Sequence, residues 1–257
     1  MNSSLNHLKR QAITATMVNK EGHLPSAFSI LDIVWTIYDR VLRYDAQNPK
    51  SDDRDRFILS KGHGSLALYT VLAEKGFFPA SELNQYCTLK SRLGGHPDHN
   101  KVPGIEASTG SLGHGLPFGV GVAMALRIRK VDRRVFVVVG DGECNEGSVW
   151  EAALLAAHHQ LSNLTCIVDY NHSTDRALNM GDMAAKFSAF GWAATTINGH
   201  DHAAIESALR TRDPQKPTAI IAETIKGHGV KQMENNPAWH HRCPSKEEME
   251  TMFQDLT

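Results

Sequence analysis

What the sequence lacks narrows its possibilities first. No apolar run approaches the ~18 residues that a membrane-spanning helix needs. The opening stretch, MNSSLNHLKRQAITATMVNK, has no apolar core of the secretory-signal kind. A formal net charge of −1 gives no electrostatic reason to propose nucleic acid or an anionic membrane, and neither is expected as a partner. Cysteine is scarce. The four present, Cys87, Cys144, Cys166 and Cys243, form no CxxC pair and no zinc spacing. Reduced thiols in a cytoplasmic protein are the expectation. Neither GxGxxG nor a P-loop occurs, so a nucleotide-binding reading of an α/β chain has no motif behind it. Histidine, by contrast, is abundant: 14 residues, several beside glycine.

At 257 residues the chain is near the upper size for one hydrophobic core. One domain over 1–257 is expected, with an extended C-terminal tail over about 228–257. Helical spacing is read over 4–19, closed by Gly22, and over 29–42, begun by Ser29. RFILS at 56–60 reads as a strand feeding KGHGS, and helical spacing resumes until Gly76. Residues 91–108 are Gly/Pro-rich and aperiodic, a length at which loops in compact domains tend to be functional. A long helix is expected over 112–130. Strands at 135–139, 164–170, 192–198 and 218–225 then alternate with helices at 147–160, 182–190 and 201–211. This alternation of apolar strands and helices predicts an α/β fold, a parallel sheet with helices on both faces. Ser245 and Glu248 form a capping box ahead of a short terminal helix.

The stretch VFVVVGDGECNEG carries more glycine and oxygen ligands than a turn requires. Asp141 follows one predicted strand and Asn171 follows the next. In an open α/β sheet, ligands sit beyond the carboxyl ends of the strands, so a carboxylate and an amide oxygen are expected side by side. Hard oxygens of this kind suit Mg2+ or Ca2+. The set is too small to enclose an ion, which points to a phosphate completing the shell. Gly140 and Gly142 allow its close approach, and the helix starting near 147 adds free N–H groups.

The motifs GDGECNEG and VDYN, with SKGHG (60–64), GGHPD (94–98), STGSLGHGLP (108–117) and WHH (239–241), together resemble those of the transketolase family, in transketolase order. GDG followed after about thirty residues by Asn is also the thiamin diphosphate fingerprint. The resemblance covers nearly the whole chain, but only the N-terminal, pyrophosphate-binding (PP) part of a full-length transketolase. It is similar to the N-terminal subunit of a split transketolase.

That resemblance implies roles residue by residue. Asp141, Asn171 and the main-chain carbonyl of Ser173 would ligate the metal. His63, Gly142 and Asn171 would contact the diphosphate, and Gly110, Ser111 and Leu112 would lie near the aminopyrimidine. His23, His96 and His240 would act on the sugar by hydroxyl recognition or proton transfer, work that suits imidazole near neutral pH. His240 would also touch the cofactor. Glu146 would lie at a subunit interface near the cofactor, although an acid near a helix start has its own electrostatic reason to be there. Arg92 is a candidate for a sugar phosphate, with a solvent-facing role as its alternative. Two positions depart from the family pattern: His241 stands where Gly is common, and His228 where Lys is frequent.

The implied reaction moves a two-carbon ketol unit from a ketose or ketose phosphate to an aldose. The pyrimidine-binding domain of the family has no counterpart here, so the chain alone is expected to be inert. A partner carrying the C-terminal, pyrimidine-binding half would complete the enzyme, in an α2β2 assembly. Alternatives are the α-type subunit of a 2-oxoacid dehydrogenase, a deoxyxylulose phosphate synthase-like enzyme, and a non-catalytic cofactor-binding subunit. The histidines at 23, 63, 96 and 240 favour a polyol substrate over the oxoacid.

Overall fold

The computed structural model describes residues 5–175 and 177–257. Five parallel strands, β1 (Arg56–Leu59), β2 (Val135–Gly140), β3 (Leu164–Tyr170), β4 (Ala193–Asn198) and β5 (Thr218–Glu223), form one sheet in the order β1-β2-β3-β5-β4. The α/β reading holds. In β2 and β3 every residue is buried, as strands covered on both faces require. The edge strand β4 is the exception: its AATTIN sequence is partly exposed. β5 does not simply extend the series, but inserts between β3 and β4.

Side chains alternate across the pleat. Phe136, Val138, Ile167 and Ile220 join a first core with α1 (Asn6–Asn19), α2 (Leu24–Thr36) and α3 (Ser65–Glu74). Val135, Val137, Val139, Cys166 and Val168 face a second core with α4 (Gly115–Ile128), α5 (Gly147–His158) and α6 (Met183–Ala189). Helix α7 (His202–Arg210) completes the first face. The region expected as an extended tail folds back onto that face through Val230, Met233, Trp239 and Met252, the last on α8 (Lys246–Asp255). The Ser245–Glu248 capping box forms as read. All four cysteines are unpaired thiols, and among the described residues no helix is long and apolar enough to cross a membrane.

Among the boundaries that differ from the sequence reading, two lie next to the site. α1 closes on Lys20 in a left-handed conformation (φ 54°), not on Gly22. α2 starts at Leu24, with His23 as its N-cap, rather than at Ser29. Pro25 sits in the first turn, where its missing N–H costs nothing. The helix therefore delivers His23 and Ser26 to the carboxyl end of the sheet. The expected start of the first helix, at residue 4, lies outside the described residues.

Candidate functional site

The chain leaves β1 toward the first face through α3 and leaves β2 toward the second through α5, so the tips of these neighbours diverge and open a crevice. Ser26, Lys61, His63, Leu112, Asp141, Gly142, Asn171, Ser173, Lys226 and His240 line the resulting cleft of about 120 Å3. A larger groove of about 320 Å3 continues from it past Asn171, Ser173, Lys226 and His240.

Register brings the oxygens together. Gly140 pairs with Asp169 across β2 and β3, so the residues just beyond, Asp141 and Asn171, stand at adjacent tips. Ser173 joins them: its hydroxyl donates to Asp141 Oδ1 (3.2 Å), and its N–H donates to Asn171 Oδ1 (3.1 Å). Gly142 N–H also donates to Asp141 Oδ1 (2.8 Å). Asp141 is 3% exposed, yet its Oδ2 is buried with no partner among the described residues. An unpaired buried carboxylate oxygen is costly, and a cation is the natural partner for it.

A second carboxylate holds this arrangement in place. Asp169, fully buried in β3, forms an ion pair with Lys61 and accepts hydrogen bonds from Ser29 (2.7 Å), Asn171 Nδ2 (3.0 Å) and the Thr224 hydroxyl. Because the Asn171 amide nitrogen is spent on Asp169, its oxygen faces the Ser173 turn. Glu143 ties loops together in a similar way. It accepts from the Gly113 N–H (2.8 Å), the Gly140 N–H (3.1 Å) and the Ser60 hydroxyl, locking GSLGHG onto the tips of β1 and β2. Burial raises its pKa. Gly62 is required by contact: a Cβ there would lie 2.8 Å from Gly110 N.

Four imidazoles crowd one side. The His23 ring lies 5.3 Å from His63, 5.4 Å from His240 and 4.4 Å from His241. Among the described residues, the His23 and His63 rings have no hydrogen-bond partner, which leaves their nitrogens for a ligand. Burial, then the neighbouring His241 and His240, lowers the His23 pKa to about 4. Burial, then Lys61 and His23, lowers that of His63 to about 2. Both are neutral at physiological pH. His240 is lowered too, by burial and then Lys226, whose ammonium donates to His240 Nδ1 (3.1 Å). Burial and the nearby Lys61 in turn lower Lys226, against the pull of Asp141 and Asp169.

Of the residues read from sequence, Asp141, Asn171, Ser173, Gly142, His63, Leu112 and His240 line the cleft. His23 packs against two of them. His96 is exposed in the long loop, its ring against Gly110. Ser111 and Glu146 are exposed and do not line it; Glu146 is the N-cap of α5. Arg92 is committed to a bidentate pair with Glu82 (2.7 Å on both arms), so it does not serve this site. Sequence reasoning missed Ser26, Lys61, Glu143, Asp169 and Lys226. A carboxylate inside the otherwise apolar strand LTCIVDY was a usable signal, since a buried charge demands a partner. Ser26 gave none, yet its hydroxyl is buried, faces the cleft and has no partner among the described residues.

The departure at His228 belongs elsewhere. His228 stacks on His200 at 3.6 Å, and His200 in turn bonds Asp32 through Nδ1 and accepts the Ile225 N–H at Nε2. With both His200 nitrogens committed, Asp32, His200 and His228 form a packing network and not a ligand set, although their ligand atoms lie within 4.8 Å of one another.

The family profile for the thiamine diphosphate binding domain of transketolase matches residues 2–256. The chain belongs to the transketolase family. It is 38% identical over 245 residues to one of the subunits of the apulose-4-phosphate transketolase of Phocaeicola vulgatus, covering 93% of this chain and 87% of that protein. The corresponding protein of Actinobacillus succinogenes, with the same name, is 39% identical, with 91% and 87% covered. The solved transketolase of Campylobacter jejuni superposes with a TM-score of 0.90 at 28% identity, over 100% of this chain and 43% of its own. The α/β fold and the thiamin diphosphate-binding character expected from the motifs are thereby established, and the family is one of ketol transferases.

Proposed function

We propose that this chain is the diphosphate-binding subunit of a two-chain transketolase, working with a partner that carries the pyrimidine-binding half. Its match to proteins that are each named as one subunit of a transketolase, along most of their length, supports the two-chain reading. The observation that carries the site is the orphaned Asp141 Oδ2 beside Asn171 Oδ1, at the mouth of a cleft with two lysines.

The residues present fit a divalent cation and a diphosphate. Asp141, Asn171 and the Ser173 carbonyl would hold Mg2+ or Ca2+ through oxygen. Gly142, His63, Ser26 and Lys226 would meet the diphosphate, with Lys61 adding positive potential from behind. At Gly142 a Cβ would have only ordinary contact, 3.7 Å from Thr174. Packing within the chain does not demand glycine there; close approach by a ligand does. Gly110 and Leu112 would border the pyrimidine end, and Glu146 the partner chain.

When bound, thiamin diphosphate supplies the nucleophilic carbon and the electron sink for breaking the ketose C2–C3 bond. The protein's part is to bind, orient and move protons. Neutral His23 offers a lone pair to a hydroxyl proton, and neutral His63 has an N–H to donate to the diphosphate. His240, with Lys226 donating to its Nδ1, keeps Nε2–H to donate to a sugar oxygen. His96 would reach the donor hydroxyls from the long loop. The substrates on this reading are polyhydroxylated ketoses and aldoses, with or without phosphate. The test is complementation. The chain alone, with cofactor and Mg2+, is expected to transfer no ketol unit, and adding a pyrimidine-domain partner is expected to restore transfer. Robust transfer by the chain alone refutes the two-chain reading.

A further inference from the structure

His241 occupies a position that the established fold does not explain. It follows His240 in the segment crossing the cleft, and its Nε2–H donates to Glu21 Oε2 at 3.0 Å. Glu21 lies in the turn between α1 and α2, two residues before His23. The His241 ring is inclined by 31° to the His23 ring at 4.4 Å, close to a face-to-face contact, whereas His63 and His240 approach His23 edge-on. The tether therefore ties residues 220 positions apart across one imidazole.

We propose that His241, anchored by Glu21, is a positioning residue for His23: it covers one face of that ring and leaves the ring edge, with its nitrogens, as the surface a ketose hydroxyl meets. The physical argument has two parts. A ring held on one face and flanked by two edges has few orientations left, so the hydrogen-bonding direction is set before substrate arrives. The second part is electrostatic. A second imidazole at this distance disfavours charge on His23, in the same sense as burial, His240, His96 and Lys226. Through its bond to His241, Glu21 ties a carboxylate into the cluster. His23 is thus kept as a neutral hydrogen-bonding group, the form needed to accept a hydroxyl proton.

This inference rests on reading His23 as a substrate-channel residue, so its test is separable from activity. In the full chain with labelled histidines, the His23 ring is titrated by NMR in the natural sequence, His241→Gly and His241→Phe. Glycine removes ring and tether, and phenylalanine keeps a flat ring without the bond to Glu21. In His241→Gly the His23 midpoint is expected to rise from about 4 by about one unit, with His241→Phe in between. In complex with a pyrimidine-domain partner, His241→Gly is expected to lower kcat/KM for the ketose about tenfold, with the acid limb of the pH profile displaced in step with the titration. A His23 titration unmoved in both variants, in chains that keep the natural melting temperature, overturns the proposal. Absence of ketol transfer in the complex would count against the function and leave the titration result intact.

Discussion

Asp169 and Asp141 stand at the ends of adjacent strands, and their surroundings are opposite. Asp169 is saturated: Lys61, Ser29, Asn171 and Thr224 all serve it, and it is sealed from solvent. Asp141 is almost as deeply buried, yet one of its oxygens meets no partner among the described residues. A closed network is what a fold builds for itself; an open one is what it leaves for a ligand. Removing a group should therefore cost stability at the first carboxylate and binding at the second.

The largest effect should come from breaking the closed network. Lys61→Ala strands a buried carboxylate and is expected to lower stability by about 3–5 kcal/mol, read from urea unfolding. Asp141→Asn should do the reverse. Stability without cofactor is expected to hold or improve slightly, while calorimetry with Mg2+ shows thiamin diphosphate affinity falling about 100-fold, about 2.7 kcal/mol. Loss of stability at both carboxylates alike would erase the contrast between them. Gly142→Ala sharpens it at smaller scale. The cofactor-free chain is expected to gain up to about 1 kcal/mol from reduced chain entropy, and cofactor affinity to drop about tenfold.

A further effect, nil at neutrality and growing as the solution becomes acid, is in pH. His23 and His63 have folded pKa values of about 4 and about 2, below the ordinary 6.5 of an unfolded histidine. Above pH 6.5 neither state is protonated and their effect on stability is nil. Below it the unfolded chain takes up protons first, so stability falls as pH drops from 6.5 toward 4, and further for His63. Urea midpoints across that range check this, with His63→Asn expected to flatten the slope.

Much of this was legible in the sequence, for identifiable reasons. Apolar strands alternating with helices mark the layers, and a strand running into Gly-Asp-Gly places Asp141 at a tip before its neighbour is known. Adjacency of β2 and β3 follows from their succession. Insertion of β5 ahead of β4 does not, since no local pattern encodes strand order. The first five residues of α2 are hidden in the sequence by Pro25, which looks like a stop but is tolerated in a first turn. The residues missed at the site are those that act at long range. Lys61 and Asp169 lie 108 residues apart, and Glu143 reaches back to Ser60 and Gly113. Pairings of that kind exist only once the sheet has formed.

Diffraction at the manganese edge, from crystals holding thiamin diphosphate and Mn2+ in the assembled complex, tests the central claim most directly. An anomalous peak within about 2.5 Å of Asp141 Oδ2 and Asn171 Oδ1, with diphosphate oxygens on its far side, is the predicted result. Cofactor bound in the cleft with the ion elsewhere, and Asp141 Oδ2 still without a partner, would contradict it.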